Sequence, residues 1–482
     1  MSVLKTFVKD IFIYGLAIVL PRLINFLLVP LYTGVFKNDE YSENTEFYVV
    51  VAFFNVVLSY GMETSFFRFF SKHKEKNKVL STALISVVTS TLLFAIILFS
   101  LKTQISEVLR INPEFYAILV SIILIEALIV IPFAYLRVTG RPVRFAVIKI
   151  INVLVIVGLN IVFLSERFRI EGLQNLFTVS EKVEYTFVAN LIASTLVLIL
   201  VSPYFFKTKW QFDNRIFKHM LKYGLPIMVA GLAFVINENF DKWFIPDALG
   251  KDINGAYSAC YKIAVFMTLF IQAFRMGAEP FFFNHAKAEN AKSNYATILK
   301  YFTICGALGL MLVTVYITVL TPIIIKNPSY LMALDIVPIV LLANLCLGIY
   351  HNLSIWYKLT DKTHYGMYIS ILGAIITIVF NIIFIPKIGF MASAYTTLLA
   401  YGLMMIISYV LGRKHYAVPY QVNRIVLYLV TSSTLAFISY YYFEKNLIIG
   451  TLFLILFLVI VFILEKKELL SFLRWQEPTK RI

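Results

Sequence analysis

Apolar runs of about 20 residues or more recur from one end of this 482-residue chain to the other, separated only by short polar segments. A helix of that length crosses roughly 30 Å of hydrocarbon, and in lipid each backbone polar group must find a partner within its own structure. Hydrophobic residues make up 60% of the chain, and no soluble domain fits between the runs. The sequence therefore predicts an all-α integral membrane protein.

The runs predict about fourteen transmembrane helices. The first run is too long for the apolar region of a signal peptide and has no small-x-small cleavage site, so we expect it to be retained as a helix. The predicted spans are 11–36, 47–70, 80–101, 114–136, 145–164, 185–206, 223–245, 254–283, 295–320, 329–357, 365–385, 388–411, 425–442 and 447–464.

Charged residues separate between alternate loops, which supports the number of spans because one missed helix would mix the two sets. The acidic set contains Asp39, Glu40, Glu43 and Glu46, and the mixed segment 165–184 belongs with it. The positive-inside rule places the basic loops and both termini in the cytoplasm. The same bias explains the net charge of +16, so we expect no nucleic-acid partner. The basic set is Lys72, Lys74, Lys76, Lys78, Arg137, Arg141, Arg144, Lys207, Lys209, Arg215, Lys218, Lys222, Lys287, Lys292, Arg413, Lys414 and Arg424.

Four short motifs recur in the same order in the two halves of the chain. Because six spans separate the members of each pair, corresponding spans share one orientation, as in a parallel repeat of two six-helix lobes. We predict an N-terminal lobe over 1–206, a cytoplasmic linker over 207–222, a C-terminal lobe over 223–411, and helices 13 and 14 with a cytoplasmic tail over 412–482. The matching pairs are Tyr14-Gly15-Leu16 with Tyr223-Gly224-Leu225, Tyr48 with Tyr257, Gly61-Met62-Glu63-Thr64-Ser65-Phe66-Phe67 with Gly277-Ala278-Glu279-Pro280-Phe281-Phe282-Phe283, and Asn160-Ile161-Val162-Phe163 with Asn381-Ile382-Ile383-Phe384.

These motifs, together with Pro30 at the end of the first span, Asp241-Lys242 and Gly255-Ala256-Tyr257, resemble the polysaccharide transporter family of the multidrug/oligosaccharidyl-lipid/polysaccharide exporter superfamily. The resemblance runs along the whole chain. It implies two pseudo-symmetric six-helix lobes around a central cavity, with two extra C-terminal helices. It also implies that the protein flips undecaprenyl-diphosphate-linked oligosaccharides across a bacterial inner membrane for O-antigen, capsule or related glycans, by alternating access. Implied partners are the lipid-linked substrate, membrane lipids, a coupling proton or sodium ion, and other polysaccharide-assembly proteins.

Basic side chains deep inside predicted spans are costly in lipid and usually face a polar cavity or a partner. Arg22 lies roughly 16 Å into the first span, with Asn25 one turn further on. It can line a cavity or form a structural ion pair. Lys262 and Arg275 lie within the long eighth span. Since arginine binds phosphate oxygens bidentately, we predict that Arg22, Lys262 and Arg275 form a cationic cavity for the diphosphate, with Asn25 as a further substrate-binding residue.

Two asparagines on one face of the tenth span, Asn344 and Asn352, offer hydrogen bonds of the kind that sugars accept and donate, and are also predicted to bind substrate. Glu126 and Glu238 are the candidates for ion coupling, because both lie deep in their spans. Each also has a structural alternative. Glu126 can be a protonated glutamate packed between helices, and Glu238 can simply pair with Lys242 four residues later.

Metal, cofactor and enzymatic chemistry lack support in the sequence. Its six histidines are scattered without an i,i+4 pair, and its three cysteines have no ligand spacing. No Gly-rich phosphate-binding motif is present, so neither a cofactor nor a catalytic residue is predicted. Two rival functions remain: an ion-coupled antiporter of small amphipathic cations from the same superfamily, which calls for an acidic, aromatic cavity, and a membrane enzyme that processes glycans.

Overall fold

The apolar runs form the expected helices in the computed structural model, which describes residues 19–168, 170, 181–206, 208–284, 286, 288–360 and 362–475. Within these ranges, thirteen helices are long and apolar enough to cross a membrane, and one shorter apolar helix precedes them. The all-α membrane fold is confirmed.

The described residues leave out four predicted features: residues 11–18 of the first predicted span, the Tyr14-Gly15-Leu16 motif, positions 171–180 and the tail 476–482. In chain order, α1 to α14 are Val19–Val35, Asn38–Lys72, Lys76–Ser100, Pro113–Val138, Pro142–Leu164, Glu184–Phe206, Asn214–Leu249, Lys251–Phe283, Ala291–Val315, Pro328–Leu359, His364–Ile388, Met391–His415, Val422–Tyr442 and Leu447–Lys466.

Helix α7 begins earlier than the apolar pattern predicts, so the predicted linker 207–222 is helical from Asn214 onward. Asp213 caps the helix by accepting hydrogen bonds from the N–H groups of Arg215 and Ile216 at 2.8 and 3.1 Å. The bond from Ile216 is the main cause of the lowered pKa of the Asp213 carboxyl. An amphipathic first turn with a good cap extends the helix below the membrane, where hydropathy alone carries no signal.

The two lobes repeat one packing scheme. In the first lobe α4 packs against α2, α3 and α6, and α5 packs against α6. In the second lobe the corresponding helices make the corresponding contacts: α10 packs against α8, α9 and α12, and α11 packs against α12. This duplicated pattern is the arrangement expected when one six-helix unit occurs twice in a chain.

Helix α2 joins the lobes by packing against both α7 and α8. Its first half starts at the end of the molecule that carries Asp39, Glu40 and Glu43, here called the acidic end. The opposite end carries the basic loops and is called the basic end. The helix breaks near the basic end, where Tyr60 and Gly61 have φ of 31° and 72°, and it then resumes at Met62.

Glycines from the sequence motifs stand where these helices touch. A Cβ added to Gly255 of α8 would lie 1.8 Å from the backbone oxygen of Asn38 on α2. At the other end of α2, a Cβ on Gly61 would lie 2.2 Å from the backbone oxygen of Gly224 on α7. Ordinary carbon contacts require much larger separations, so both crossings depend on the missing side chain. The motif glycines therefore mark contacts between the lobes.

Polar contacts close the acidic end between the lobes. Asn254 of α8 donates a hydrogen bond to Ser42 of α2 at 2.7 Å, and Lys251 lies 2.6 Å from Glu43 in an ion pair. The Tyr330 hydroxyl, at the start of α10, donates to the backbone oxygen of Phe36 at 2.8 Å. Each of these bonds joins one lobe to the other, so this structure has its acidic end shut.

The two extra helices attach to the second lobe through α9, against which both α13 and α14 pack. Lys300 of α9 is fully buried, and its Nζ lies 2.6 Å from Glu465 and 2.7 Å from Glu468. Both glutamates lie on the last helix, which continues to Trp475. Tyr428 of α13 donates to Glu465 at 2.5 Å. A buried lysine with two carboxylates thus fixes α13 and α14 to α9.

Candidate functional site

Two predicted cationic residues, Arg22 on α1 and Lys262 on α8, are exposed in the structure. Neighbouring protein nevertheless shields the charge of each from part of its solvent. Helix α1 contacts α8 one turn from Arg22, where the rings of Phe26 and Phe266 lie 4.9 Å apart.

Arg22 and Arg275 come together with Glu238. Arg22 interacts favourably with the carboxylate of Glu238 on α7 and unfavourably with Arg275 on α8. Arg275 also acts electrostatically on Tyr350 and His351 of α10. Helices α1, α7, α8 and α10 therefore bring two guanidinium groups and one carboxylate to a shared region, which no spacing along the chain could have revealed.

Lys262 lies apart from this pair. It precedes Arg275 by thirteen residues on the continuous helix α8, so their backbone positions are separated by about 20 Å along the helix axis. The cation that acts on Lys262 is Lys242 rather than either arginine. In this structure the predicted cationic set therefore divides into an arginine pair and a separate lysine.

Glu238 does not pair with Lys242 through its carboxylate. The Lys242 ammonium donates to the backbone oxygen of Glu238 at 2.6 Å and lies 3.2 Å from Asp241. Asp241 also accepts a hydrogen bond from the Tyr257 hydroxyl, and Lys242 lies 3.8 Å from the centroid of the Tyr261 ring. Lys242 leans toward the start of its helix, as helical side chains do, and so passes the Glu238 carboxylate.

The Glu238 carboxylate instead accepts a hydrogen bond from Tyr401 of α12 at 2.5 Å. It is half-buried and also interacts electrostatically with Arg22. Sequence analysis missed Tyr401, because a tyrosine in an apolar span has no pattern that distinguishes a ligand of a carboxylate from a core residue. The carboxylate is thus bound by a phenol and acted on by a guanidinium.

Glu126 belongs to a separate cluster in the first lobe. Its oxygens accept hydrogen bonds from Asn55 at 2.5 Å and from Ser194 at 3.5 Å. It also interacts with Lys149 on the next helix, whose ammonium lies 4.4 Å from the centroid of the Phe133 ring. The structural alternative for Glu126, packing between helices, agrees with these contacts. Lys149 is a partner that no sequence pattern connects with it.

Of the remaining predicted substrate-binding residues, one is exposed and two are buried in the core. Asn25 is exposed on α1, one turn from Arg22. Asn344 is fully buried and donates to the backbone oxygen of Ala264 on α8 at 3.4 Å. Asn352 is buried too, and donates to Gly348 in its own helix at 3.0 Å. In this structure both asparagines are packed in the core and donate to backbone oxygens, and their own side-chain oxygens have no partner among the described residues; their role in substrate binding stays a prediction.

Metal binding finds no support in the described part of the chain. No group of three or more histidine, cysteine, aspartate or glutamate side chains could hold a metal ion there.

Comparisons with known proteins bear on this arrangement. The family profile described as "Polysaccharide biosynthesis protein" matches residues 7–286, and a second profile, MatE, matches residues 226–383. A comparison with curated protein sequences finds no match.

Solved structures show the same fold. The structure described as "Lipid II flippase MurJ, inward closed conformation" is 17% identical, with a TM-score of 0.69 over 93% of this chain and 98% of its own. An inward-facing multidrug resistance MATE family transporter of the MOP superfamily is 12% identical, with a TM-score of 0.65 over 86% and 96%. A MOP superfamily transporter from Pyrococcus furiosus, whose description reports a binding pocket of reverse polarity, is 14% identical, with a TM-score of 0.60 over 88% and 96%. The descriptions of these structures name transporters and a flippase.

Proposed function

Because the chain belongs to the polysaccharide biosynthesis protein family, we propose that it flips an undecaprenyl-diphosphate-linked oligosaccharide from the cytoplasmic to the outer leaflet of a bacterial inner membrane. The glycan would then enter O-antigen, capsule or a related polysaccharide. The transporter and flippase fold supports this proposal. The basic end of the molecule faces the cytoplasm, together with both termini, in keeping with the positive-inside rule.

The observation that carries the proposal is the arginine pair. Arg22 and Arg275 repel each other electrostatically, and the Glu238 carboxylate attracts Arg22. Two guanidinium groups that act on each other favour a ligand with more than one negative charge. A diphosphate meets this need, and its oxygens fit the donor fork of arginine. The polyprenyl tail can stay in lipid while the headgroup passes between the lobes.

A cationic drug is the weaker candidate for cargo. A cation binds best to carboxylates and aromatic ring faces that no positively charged side chain of the protein already occupies. Tyr401 does supply an aromatic ring beside Glu238, but Arg22 and Arg275 act on each other there, and two guanidinium groups disfavour a cationic cargo. The rival antiporter function therefore rests on the fold it shares with multidrug transporters and not on the geometry of the site.

Reconstitution distinguishes the two functions. Liposomes that contain the purified protein and a fluorescent lipid-diphosphate oligosaccharide are expected to move the label between leaflets, as measured by its loss of protection from a membrane-impermeant quencher. The same liposomes loaded with a lipophilic fluorescent cation are expected to show no gradient-driven export. Cation export without movement of the lipid would establish the antiporter instead.

Ion coupling is proposed to act through Glu238. When this carboxylate gains a proton, Arg22 loses its favourable partner and becomes a stronger site for the diphosphate. Proton binding and substrate binding then favour each other, so the proton and the lipid-linked substrate cross in the same direction, and a proton gradient directed from the cytoplasmic to the outer side drives flipping. Sodium bound at the carboxylate would act in the same direction, because it also neutralises the negative charge.

Glu238→Gln is accordingly expected to remove the response to a gradient, so that flipping with an imposed proton or sodium gradient falls to the rate without one. Glu126→Gln is the matched comparison, since Asn55 and Ser194 already satisfy that carboxylate and it lies in another cluster. We expect this variant to keep its response. An unchanged response in both variants would show that neither carboxylate couples transport.

A further inference from the structure

A second cationic cavity lies at the basic end of the first lobe, away from the arginine pair. Its volume is about 420 Å³. The beginnings of α3 and α5 and the ends of α4 and α6 meet there. The polar part of its lining includes Asn77, Tyr135, Arg141, Arg144, Tyr204 and Lys209.

A tight turn places the two arginines. Helix α4 ends at Val138, and Gly140, just after its C-cap, has a φ of 66° that suits glycine at the end of a helix. The Arg141 N–H then donates back to the oxygen of Leu136 at 3.0 Å, and the Gly140 N–H donates to Arg137 at 3.2 Å. Arg141 becomes the residue that precedes α5, where no side chain caps the first turn, and Arg144 follows within that turn. Both guanidinium groups thus lie at the positive end of the α5 dipole.

The cations of this cavity are not neutralised by the protein. No acidic side chain is among its described lining residues, and no described carboxylate forms an ion pair with Arg141, Arg144 or Lys209. Arg144 instead lies 5.3 Å from the centroid of the Tyr204 ring. Elsewhere at the basic end the pairing is different, since Arg137 lies 2.5 Å from Glu63. The described lining of this cavity therefore has unpaired positive charge, whereas nearby Arg137 is paired with a carboxylate.

Tyr204 supplies the second, independent observation. Its side chain lines the cavity and is only 8% exposed, and its hydroxyl has no hydrogen-bond partner among the described residues. Buried hydroxyls are nearly always hydrogen-bonded, because an unsatisfied one keeps the full cost of its lost water. An acceptor supplied from outside the protein would satisfy it. Three cationic side chains and one hydroxyl donor together form a set of groups that can bind a phosphate.

We propose that this cavity binds the phosphate of an anionic membrane lipid. The lining residues lie at the ends of membrane spans, at the level where lipid headgroups lie, and basic pockets between helices on the cytoplasmic side are suited to such headgroups. The lipid binds outside the transport pathway and holds the ends of α3, α4, α5 and α6 together. This goes beyond the proposed flipping activity and does not depend on it.

Lipid titration of the detergent-purified protein tests the proposal. The apparent affinity is read from the rise in thermal unfolding midpoint with added phosphatidylglycerol, with phosphatidylcholine as the neutral lipid, and with inorganic phosphate and glycerol phosphate as soluble competitors. The wild-type protein is expected to respond to phosphatidylglycerol alone. Arg141→Gln/Arg144→Gln should weaken binding by roughly tenfold or more, and Tyr204→Phe by about threefold, because it removes one hydrogen bond.

The matched control is Arg413→Gln/Lys414→Gln, which removes two exposed positive charges from the same end of the other lobe. It should bind phosphatidylglycerol as the wild-type protein does. An equal loss in the control would reduce the effect to general surface charge and overturn the proposal. Saturation of the wild-type response by inorganic phosphate would assign the site to a soluble anion instead of a lipid. If the arginine variant does not fold, Tyr204→Phe decides, since full affinity in that variant contradicts the site.

Discussion

Arg22→Ala is expected to lower the rate of flipping by roughly two orders of magnitude while the protein stays folded in the membrane. Loss of a charge-assisted bidentate contact in a desolvated site costs about 2–5 kcal/mol, and each 1.4 kcal/mol is a factor of about ten in rate. Arg22→Lys should recover part of the activity, because lysine restores the charge without the planar donor fork. The measurement is the initial rate of leaflet exchange in liposomes with equal amounts of reconstituted protein.

The matched control for Arg22 is Arg68→Ala. Arg68 is exposed near the basic end, and its guanidinium lies 4.3 Å from the centroid of the Tyr223 ring, so it tests the loss of an arginine outside the candidate site. We expect flipping within about twofold of the wild-type rate, as for most surface changes. Normal flipping by Arg22→Ala would refute the role of the arginine pair in holding the diphosphate.

Gly255→Ala is expected to abolish transport as well, for a steric reason. The new Cβ would lie 1.8 Å from the oxygen of Asn38, so α2 and α8 must separate and the acidic end cannot close as it does here. Alanine is the best helix former and normally stabilises a helix by about 1 kcal/mol relative to glycine. A loss of activity therefore cannot come from a weakened helix.

Distances between spin labels at Asp39 and Asp252 would report this opening. Both positions are exposed at the acidic end, and the labels require that Cys260, Cys305 and Cys346 first be replaced. Gly255→Ala should shift the distance distribution to longer values. Gly158→Ala is the control, because a Cβ there has open space around it. Wild-type distances and rates in Gly255→Ala would show that α2 and α8 need not touch during transport.

Span positions could be predicted because hydropathy is a local property of the chain. Each apolar run has a helix among the described residues, although several boundaries differ, such as the start of α7 after its cap Asp213 and the end of α9 at Val315. The repeat motifs were visible in the sequence, but the helix contacts that their glycines make could not be predicted from it. Gly61 and Gly255 are required by backbones that approach from distant parts of the chain, and such contacts leave no mark in local sequence.

Partners of the deep polar residues could not be predicted, because they depend on which helices are neighbours. Tyr401 follows Glu238 by 163 residues, yet it donates to that carboxylate. The i,i+4 rule suggested Lys242 as the partner instead, and its ammonium pairs with Asp241. Asn344 and Asn352 share a polar face of α10. In the structure Asn344 donates to the backbone of α8, and Asn352 donates to the backbone of its own helix. Spacing along a helix indicates which side of the helix a residue occupies, but not which neighbouring helix or side chain packs against that side.

The ion cluster between α9 and α14 has a consequence for the order of synthesis. The ribosome makes the chain from its amino terminus, so Lys300 enters the membrane about 165 residues before Glu465 does. During that interval its buried site lacks both carboxylates, and an unpaired charge in lipid is strongly unfavourable. The second lobe therefore reaches its final packing only when the last helix arrives. A nascent chain that stops short of α14 leaves an exposed lysine between its helices, a defect that membrane quality control can recognise.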